Sequence, residues 1–317
     1  MGMEMIKKRL PAMYQLYLYT KGIVKRKEQE EQESKYHRMT DAERMKYDAA
    51  LYEMRIGKPL DWNNLETYTE KMQWAKLFDK DERKVTLSDK YAVRSWVEEK
   101  IGSEYLIPLV GKWDSYKEID FSELPEQFVL KTNHGSGDAV IVRDKKDMSF
   151  ADKIAMRRKI QEALRRDYGA RFCEWHYSKI KPCIIAEQYV ESGETDLQDY
   201  KFLCFDGEPY FCWVDVGRYT DHKRNIYDLN WQLQDWNQRN YGNANSELKK
   251  PQNFEKMVEI ARVLSQGFSH VRVDLYNVGG KIYFGEMTFT NGSGFEEITP
   301  HSADLMLGRL WKLPMNK

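Results

Sequence analysis

The amino-acid sequence predicts an α+β protein in which two β-rich lobes follow a helical N-terminal region. Three observations lead to this class. Helix-like patterns fill residues 36–104, a small β-rich unit with one helix occupies residues 105–190, and a larger β-rich unit occupies residues 191–317. Ahead of them, residues 1–35 form a basic and mixed-charge segment. Because helices and strands come in separate runs and no internal repeat is visible, the pattern is typical of α+β domains.

Composition excludes several broad classes of protein. Among 317 residues, 50 Lys and Arg balance 50 Asp and Glu, so no global basic field favours a nucleic-acid partner. Aromatic residues make up 13% of the chain, which favours a packed protein over a disordered one. The four cysteines lack CxxC spacing, so they indicate reduced, half-buried thiols and neither a disulfide framework nor a zinc site.

The N-terminal segment contains a short apolar run, Leu10–Leu18, which is too short and too polar to span a bilayer. No secretory signal is visible, so we expect a cytoplasmic protein. The run could contact the inner face of the membrane or a partner, but a docked helix is the favoured interpretation. The charged residues that follow it predict a solvated helix or linker.

Helical periodicity and capping residues predict three helices in the N-terminal region. They cover residues 40–56, 63–78 and 88–101. Lys90 falls in the first turn of the third helix, where a cation opposes the helix dipole, so this position favours an anionic partner. An exposed lysine without a specific role is the alternative that the local sequence favours.

The predicted small lobe contains a glycine-rich loop, His134–Asp138, between two strands. The strands of this lobe are predicted at 105–113, 128–133, 139–142 and 182–190, with a helix at 150–168. The loop matches neither phosphate-binding consensus, but its glycines would let backbone N–H groups approach an anion, and Lys131 could add a charge. A tight hairpin turn is the favoured alternative for this loop. The basic residues of the helix are interpreted as a solvated face.

The predicted large lobe begins with a hairpin, 200–215, whose turn is Asp206-Gly207. Arg218 and Arg224 follow in what we expect to be a polar loop, and residues 226–250 predict an irregular substrate-side insertion. An amphipathic helix is predicted at 254–267, and a short closing helix is predicted at 302–313.

A second predicted hairpin, Val271–Gly294, carries polar residues that need an explanation. If its connection holds an odd number of residues, the even-numbered side chains of both strands share one face. Arg272, Asp274, Glu286 and Thr288 would then lie together, with Asn291 just beyond. Such a set is costly to bury but supplies oxygen ligands that suit Mg²⁺. A solvent-facing strand pair with a salt bridge is an equally good interpretation of the hairpin alone.

Taken together, six segments in order resemble the ATP-grasp superfamily, and specifically its TupA-like branch, which is linked to teichuronopeptide and capsule biosynthesis. The segments are Thr69–Trp74, Asp89–Gly102, Phe128–Asp138, Ile184–Glu191, Asp199–Phe211 and Val271–Phe295. The resemblance covers about residues 35–315. It implies a fold in which two lobes with antiparallel sheets hold ATP between them, with ATP and Mg²⁺ as cofactors.

The resemblance also assigns nucleotide contacts. The matched residues are Lys90, Lys131, Ser136, Gly137, Glu187, Gln188, Tyr189, Val190, Asp196 and Lys201. The first two match the lysines that contact the phosphates, and Ser136-Gly137 matches the loop that closes over them. The stretch from Glu187 to Val190 matches the strand that binds adenine, while Glu187 and, more weakly, Asp196 match the acid that holds the ribose.

The metal carboxylates of the superfamily match Asp274 and Glu286, and Arg272 matches an arginine that faces the transferred phosphate. With Lys131, Arg272 forms the expected catalytic pair. Many relatives have an Asn where this chain has Thr288, so either a second metal is held differently or Asn291 substitutes. The expected substrate residues are Arg218, Arg224, Asn291 and Ser293.

The activity implied by the resemblance is amide formation through an acyl phosphate, between a carboxylate and an amine. The carboxylate would belong to a uronic acid or amino acid of a surface polysaccharide, either as a small molecule or linked to a polymer. A glycosyltransferase with Asp79-Lys80-Asp81 as its metal motif is one alternative. The other is a catalytically degenerate nucleotide-binding scaffold, which would contact a polysaccharide-assembly complex through the N-terminal segment.

Overall fold

A computed structural model describes residues 11–191, 197–217, 222–239, 241–244 and 247–313, with the backbone alone for residues 11–23 and 25. The helices are α1 (Pro11–Arg38), α2 (Asp41–Ile56), α3 (Tyr68–Phe78), α4 (Arg83–Ser88), α5 (Val93–Ile101), α6 (Phe150–Leu164), α7 (Tyr168–Phe172), α8 (Trp175–Ser178), α9 (Phe254–Ser265) and α10 (His301–Leu310). The strands are β1 (Leu109–Trp113), β2 (Phe128–Thr132), β3 (Val140–Val142), β4 (Ile184–Gln188), β5 (Asp199–Phe205), β6 (Glu208–Val216), β7 (Lys223–Asp228), β8 (Asn237–Gln238), β9 (His270–Val278), β10 (Lys281–Thr288) and β11 (Ile298–Thr299).

The N-terminal helices begin where side chains satisfy their first backbone N–H groups. Thr40 and Glu43 form a capping box for α2, and Thr67 and Glu70 form one for α3, so α3 begins five residues later than predicted. The predicted helix 88–101 is wrong at its start, because α4 ends at Ser88 and α5 begins at Val93.

Lys90 therefore lies in a turn between α4 and α5 and not in the first turn of a helix. The turn is held by Asp89, whose Oδ1 accepts hydrogen bonds from the N–H groups of Tyr91 at 2.7 Å and Ala92 at 3.1 Å. The position of the Lys90 side chain is therefore set by this turn. The predicted effect of a helix dipole on Lys90 does not apply, because the following helix begins only at Val93.

The small sheet has four antiparallel strands in the order β1-β4-β2-β3. One face packs on α6, with Phe128 and Leu130 in contact with the core that contains Met156 and Ile160. The helix ends at Leu164, four residues before the predicted end at 168. Because side chains alternate along a strand, Lys131 lies on the opposite face of this sheet from α6.

The large sheet has five antiparallel strands in the order β10-β9-β5-β6-β7. The predicted loop containing Arg224 is wrong, because residues 223–228 form edge strand β7 and pair with β6. Its polar residues have partners within the fold. Asn225 Nδ2 donates to the hydroxyl of Tyr227 at 3.2 Å, and its Oδ1 accepts from the N–H of Ala244.

The two faces of the large sheet differ in what covers them. One face packs against α9 and α5, with Phe202 and Val273 buried against Met257 and Val97. The other face is covered over one half by α3 and α10, which bury Trp213. The remaining half of that face carries polar side chains, and they form the candidate site.

Two further expectations concern cysteines and membranes. The cysteines, Cys173, Cys183, Cys204 and Cys212, are unpaired as predicted, although they are buried and not half-buried. Among the described residues, no helix has both the length and the apolar composition that a bilayer crossing requires. The predicted docked helix falls within α1, whose first side chains lie outside the described set.

Candidate active site

The hairpin of β9 and β10 turns through Gly279 and Gly280, whose φ angles are +57° and +88°. Positive φ at both central residues defines a type I′ turn, which glycine adopts without steric cost. Val278 pairs with Lys281, so the connection holds two residues. The expected odd-numbered connection is therefore wrong, and a two-residue turn alone would put Asp274 and Glu286 on opposite faces of the hairpin.

A β-bulge at Gly285 brings these carboxylates to one face. Phe284 pairs with Leu275, but the next pair is Glu286 with Asp274. One extra residue reverses the alternation of side chains along β10. A Cβ at Gly285 would lie 3.0 Å from the backbone oxygen of Asp274, which explains why glycine suits the bulge.

Arg272 is the centre of the resulting cluster. Its Nε and Nη2 each donate to Asp274 at 2.7 Å, and Nη2 also donates to Glu286 at 2.9 Å and Thr288 at 3.1 Å. Nη1 donates to Asn291 Oδ1. Burial opposes the charge, but Asp274 and then Glu286 hold the pKa of Arg272 above its ordinary value. The predicted group thus comes together, with Thr288 and Asn291 both bonded to the arginine.

Lys201 lies beside this cluster and contacts three carboxylates. Its Nζ is 2.7 Å from Asp274, 3.3 Å from Asp199 and 3.9 Å from Asp215. Burial acts to lower the pKa of Lys201, but Asp199 and Asp274 outweigh it and raise that pKa. Burial acts to raise the pKa of Asp274, yet Arg272 and Lys201 lower it below its ordinary value. Both groups are therefore charged at neutral pH.

These contacts continue into a row of charges that crosses all five strands of the sheet. The row contains Glu286, Arg272, Asp274, Lys201, Asp199, Asp215 and Arg224. At its far end, Arg224 donates to Asp215 through Nε at 2.6 Å and Nη2 at 2.8 Å, and Nη1 donates to Gln238. The pKa of Asp215 is lowered because these bonds outweigh burial. The predicted substrate residue Arg224 is thus already paired within the protein.

Lys90 joins the small lobe to the carboxylate end of this row. Its Nζ donates to the backbone oxygen of Gly135 at 2.5 Å and lies 4.0 Å from Glu286 Oε2. In the same glycine-rich loop, Ser136 and Gly137 are exposed. Gly137 has φ +77° and open space where a Cβ would stand. The loop therefore presents exposed backbone next to Gly135, which Lys90 contacts, as an anion-binding loop requires.

Lys131 and Glu187 form a close ion pair on the small sheet, with Nζ 2.5 Å from Oε2. Arg94 Nη1 lies 3.5 Å from the other oxygen of Glu187. Next to Glu187, Gln188 is exposed, and its backbone N–H donates to Pro108 at 2.9 Å. The strand ends there.

The rest of the predicted adenine stretch extends past the strand. Tyr189 accepts a hydrogen bond from Arg143 Nε at 3.3 Å, and Val190 is partly exposed. Two other predicted residues, Asp196 and Arg218, lie outside the described residues.

The loop after β10 holds two of the predicted substrate residues. Asn291 is buried, and its Nδ2 has no hydrogen-bond partner among the residues that the structure describes. Ser293 Oγ donates to Glu174 at 2.9 Å, and Thr290 donates to the other oxygen of Glu174. Burial raises the pKa of Glu174 above its ordinary value. Glu174 thus holds the loop after β10. The sequence around Glu174 does not predict these hydrogen bonds, because their donors lie more than a hundred residues away.

The donor set of the cluster suits magnesium better than a metal that prefers nitrogen or sulfur ligands. Among the described residues, no group of three or more His, Cys, Asp or Glu side chains could hold a metal ion. Mg²⁺ is commonly held by one or two carboxylates together with substrate phosphates, so Asp274 and Glu286 are a sufficient protein set. Glu286 is the accessible member, with 37% of its side chain exposed.

Comparison with known protein families gives a match that spans most of the chain. A family model described as TupA-like ATPgrasp matches residues 70–312. Among proteins with curated descriptions, no match to this chain was found.

Comparison with solved structures gives several distant likenesses. D-alanine–D-alanine ligase from Helicobacter pylori has 14% identity and a TM-score of 0.41, with 78% of this chain and 69% of that chain covered. A RimK domain ATP-grasp protein from Sphaerobacter thermophilus DSM 20745 has 12% identity and a TM-score of 0.40, with 78% of each chain covered. D-alanine–D-alanine ligase from Bacillus anthracis has 16% identity and a TM-score of 0.35, with 64% of this chain covered. This chain spans 57% of the length of that ligase.

Proposed function

This chain belongs to the TupA-like ATP-grasp family, and from that premise we propose that it is an ATP- and Mg²⁺-dependent ligase that joins a carboxylate to an amine. The family and the fold are those that the sequence predicts. In the proposed reaction, a carboxylate oxygen attacks the γ-phosphorus of ATP, which gives an acyl phosphate and ADP. The amine then attacks the carbonyl carbon, loses a proton and releases phosphate, and the product is an amide.

The observation that carries the proposal is the cluster of Arg272, Asp274 and Glu286 opposite Lys90 and the glycine-rich loop. Phosphoryl transfer needs positioning and charge neutralisation more than covalent work by the protein. Arg272 supplies a planar fork of donors for the transferred group. Bound Mg²⁺, held by Asp274 and Glu286, would neutralise phosphate charge. We propose that Lys131, now paired with Glu187, turns toward the phosphates when nucleotide is present.

We further propose that the carboxylate belongs to a uronic acid or amino acid of a surface polysaccharide. This rests on the TupA-like resemblance, and the proposed lobes are residues 105–190 and 191–317. The alternative glycosyltransferase would use Asp79-Lys80-Asp81 as its metal motif, but both acids of this motif form ion pairs within the protein. Asp79 pairs with Lys84 and Asp81 with Arg83, each at 2.6 Å, so both acids serve the turn before α4.

Replacing Glu286 with Gln should remove the stabilisation that Mg²⁺ and ATP give to the folded protein. A ligand at about 100 times its Kd stabilises a protein by about 2.7 kcal/mol, so wild type should show a clear rise in Tm. The measurement is thermal unfolding with Mg²⁺-ATP beside a panel of nucleotide sugars. Glu53→Gln, an exposed change on α2, is the matched control and should keep the full shift. A wild-type shift with a nucleotide sugar and none with ATP would contradict the ligase proposal.

Asn291 should act as a hydrogen-bond donor to the reacting group, because its Oδ1 accepts from Arg272 and its Nδ2 has no partner in the described part of the chain. Asn291→Asp keeps the acceptor and removes the donor, so we expect phosphate release to fall by about 10²-fold. The Mg²⁺ concentration needed for the ATP-dependent Tm shift should stay unchanged. If Asn291 were instead a metal ligand, Asn291→Ala would raise the Mg²⁺ concentration needed for the Tm shift. Asn291→Asp would then bring that concentration back to the wild-type value.

A further inference from the structure

The segment around α6 concentrates positive charge in a chain whose formal net charge is zero. Residues 143–166 contain nine Lys or Arg against four Asp or Glu. All six basic residues from Lys153 to Arg166 are exposed. Since α6 lies on the outer face of the small sheet, away from Lys131, this charge is separate from the candidate active site.

One face of α6 combines this charge with protruding apolar side chains. Phe150 is 80% exposed and Ile154 is 53% exposed, and the two lie one helical turn apart. At about 100° per residue, Phe150, Ile154, Arg157 and Arg158 fall within an arc of about 100°. The acids of α6, Asp152 and Glu162, fall outside that arc. We call this arc, from Phe150 to Arg158, the basic–apolar face.

A cavity of about 420 Å³ opens beside this face. Met148 and Met156 contribute to its apolar lining, and Lys145, Lys146 and Lys153 also line it. No acidic side chain is found among the described residues that line the cavity.

The lysines of the cavity are held in part by the protein. Lys145 donates to the backbone oxygens of Phe121 and Leu124, and Lys146 lies 3.3 Å from the exposed Glu126. Arg157 lies 6.0 Å from the ring centroid of Tyr116, another lining residue, so the cavity and the basic–apolar face adjoin. Together they present apolar groups surrounded by cations.

We propose that the basic–apolar face of α6 docks on an anionic lipid bilayer. Phe150 and Ile154 enter the interface between headgroups and acyl chains, while Arg157, Arg158 and Lys153 contact lipid phosphates. The Lys and Arg side chains are long and independent of one another, so their charged ends can contact lipid headgroups that move laterally. A nucleic-acid backbone would match the charge but leave both apolar side chains in water. Docking through α6 leaves the opposite face of the small sheet, with Lys131, open to nucleotide.

Co-sedimentation of the full chain with vesicles tests this surface. We expect binding to phosphatidylcholine vesicles that contain phosphatidylglycerol and none to phosphatidylcholine alone, with binding lost between about 0.1 M and about 0.5 M NaCl. Phe150→Ser/Ile154→Ser should weaken binding by at least about tenfold, and Arg157→Gln/Arg158→Gln by a similar factor. Met54→Ser and Arg55→Gln/Lys58→Gln change exposed residues at the end of α2 and just beyond it, and these matched controls should bind as wild type does.

Two outcomes would overturn the proposal. One is no sedimentation of wild type with anionic vesicles, and the other is equal loss of binding in the α2 controls. A label gives a second readout, because the described native cysteines are buried and a cysteine introduced on the surface is labelled selectively. An environment-sensitive dye on Ile154→Cys should shift to the blue with anionic vesicles, and the same dye on Met54→Cys should not. Binding to acidic polypeptide or RNA with no dye shift at 154 would assign the face to that partner and reject the bilayer.

Discussion

Exchanging Arg272 for lysine should lower ATP-dependent phosphate release by about 10²–10³-fold while the protein stays folded. Lysine keeps the positive charge near Asp274, but it lacks the planar fork that now reaches Asp274, Glu286 and Thr288 at once. A single ammonium group cannot hold these acceptors and a transferred phosphoryl group together. The measurement is phosphate release with a panel of carboxylates and amines, at saturating Mg²⁺-ATP.

The control for this variant is Arg262→Lys, which changes a partly exposed arginine on α9 that pairs with Glu208. It should retain wild-type turnover. ATP-dependent thermal shifts on both variants separate binding from chemistry, because Arg272→Lys should still bind nucleotide. Full phosphate release by Arg272→Lys would show that the arginine neutralises Asp274 and takes no part in transfer.

Replacing Lys201 with Met should destabilise the protein by about 3–5 kcal/mol at neutral pH. The variant removes the ammonium group that lies within 4 Å of Asp199, Asp215 and Asp274, all of them buried. Asp215 retains Arg224 and Asp274 retains Arg272, but the three carboxylates then share a region of low polarity with one cation fewer. Urea unfolding gives the change in the free energy of unfolding, and the exposed Lys256→Met is the control, expected to be near wild type.

The loss in free energy of unfolding that Lys201→Met shows relative to wild type should become smaller as pH is lowered from about 8 toward 5. In wild type, the pKa of Asp274 is below its ordinary value, so its contribution to stability is present above about pH 4 and lost as pH falls below that. In the variant, unpaired burial raises the carboxylate pKa values, so the folded state takes up protons more readily than the unfolded state. Lower pH then favours folding of the variant relative to wild type. If the loss in free energy of unfolding did not depend on pH, it would come from lost packing and not from unpaired charge.

The sequence by itself identified features that a few neighbouring residues decide. Thr40 and Glu43 satisfy the first N–H groups of α2 within one turn of chain, so the helix start is predictable. The Asp206-Gly207 turn is equally local, since both residues have positive φ. Alternation along β9 places Arg272 and Asp274 on one face of that strand, and the family followed from ordered segments.

The tertiary structure decided the features whose partners are distant in sequence. Strand β7 looks like a loop in the sequence because Arg224 is charged, and the ion pair with Asp215 of β6 makes its burial favourable. The bulge at Gly285, which brings Glu286 opposite Asp274, depends on pairing between strands and leaves no distinctive pattern along one of them. Likewise, charge in α6 predicts solvation, but which apolar side chains remain exposed depends on where the small sheet covers the helix. Hydrogen bonds that satisfy backbone groups within one turn of chain can be predicted from the order of the residues. A buried charge is compensated by a group that is distant in sequence, and only the tertiary structure shows which group that is.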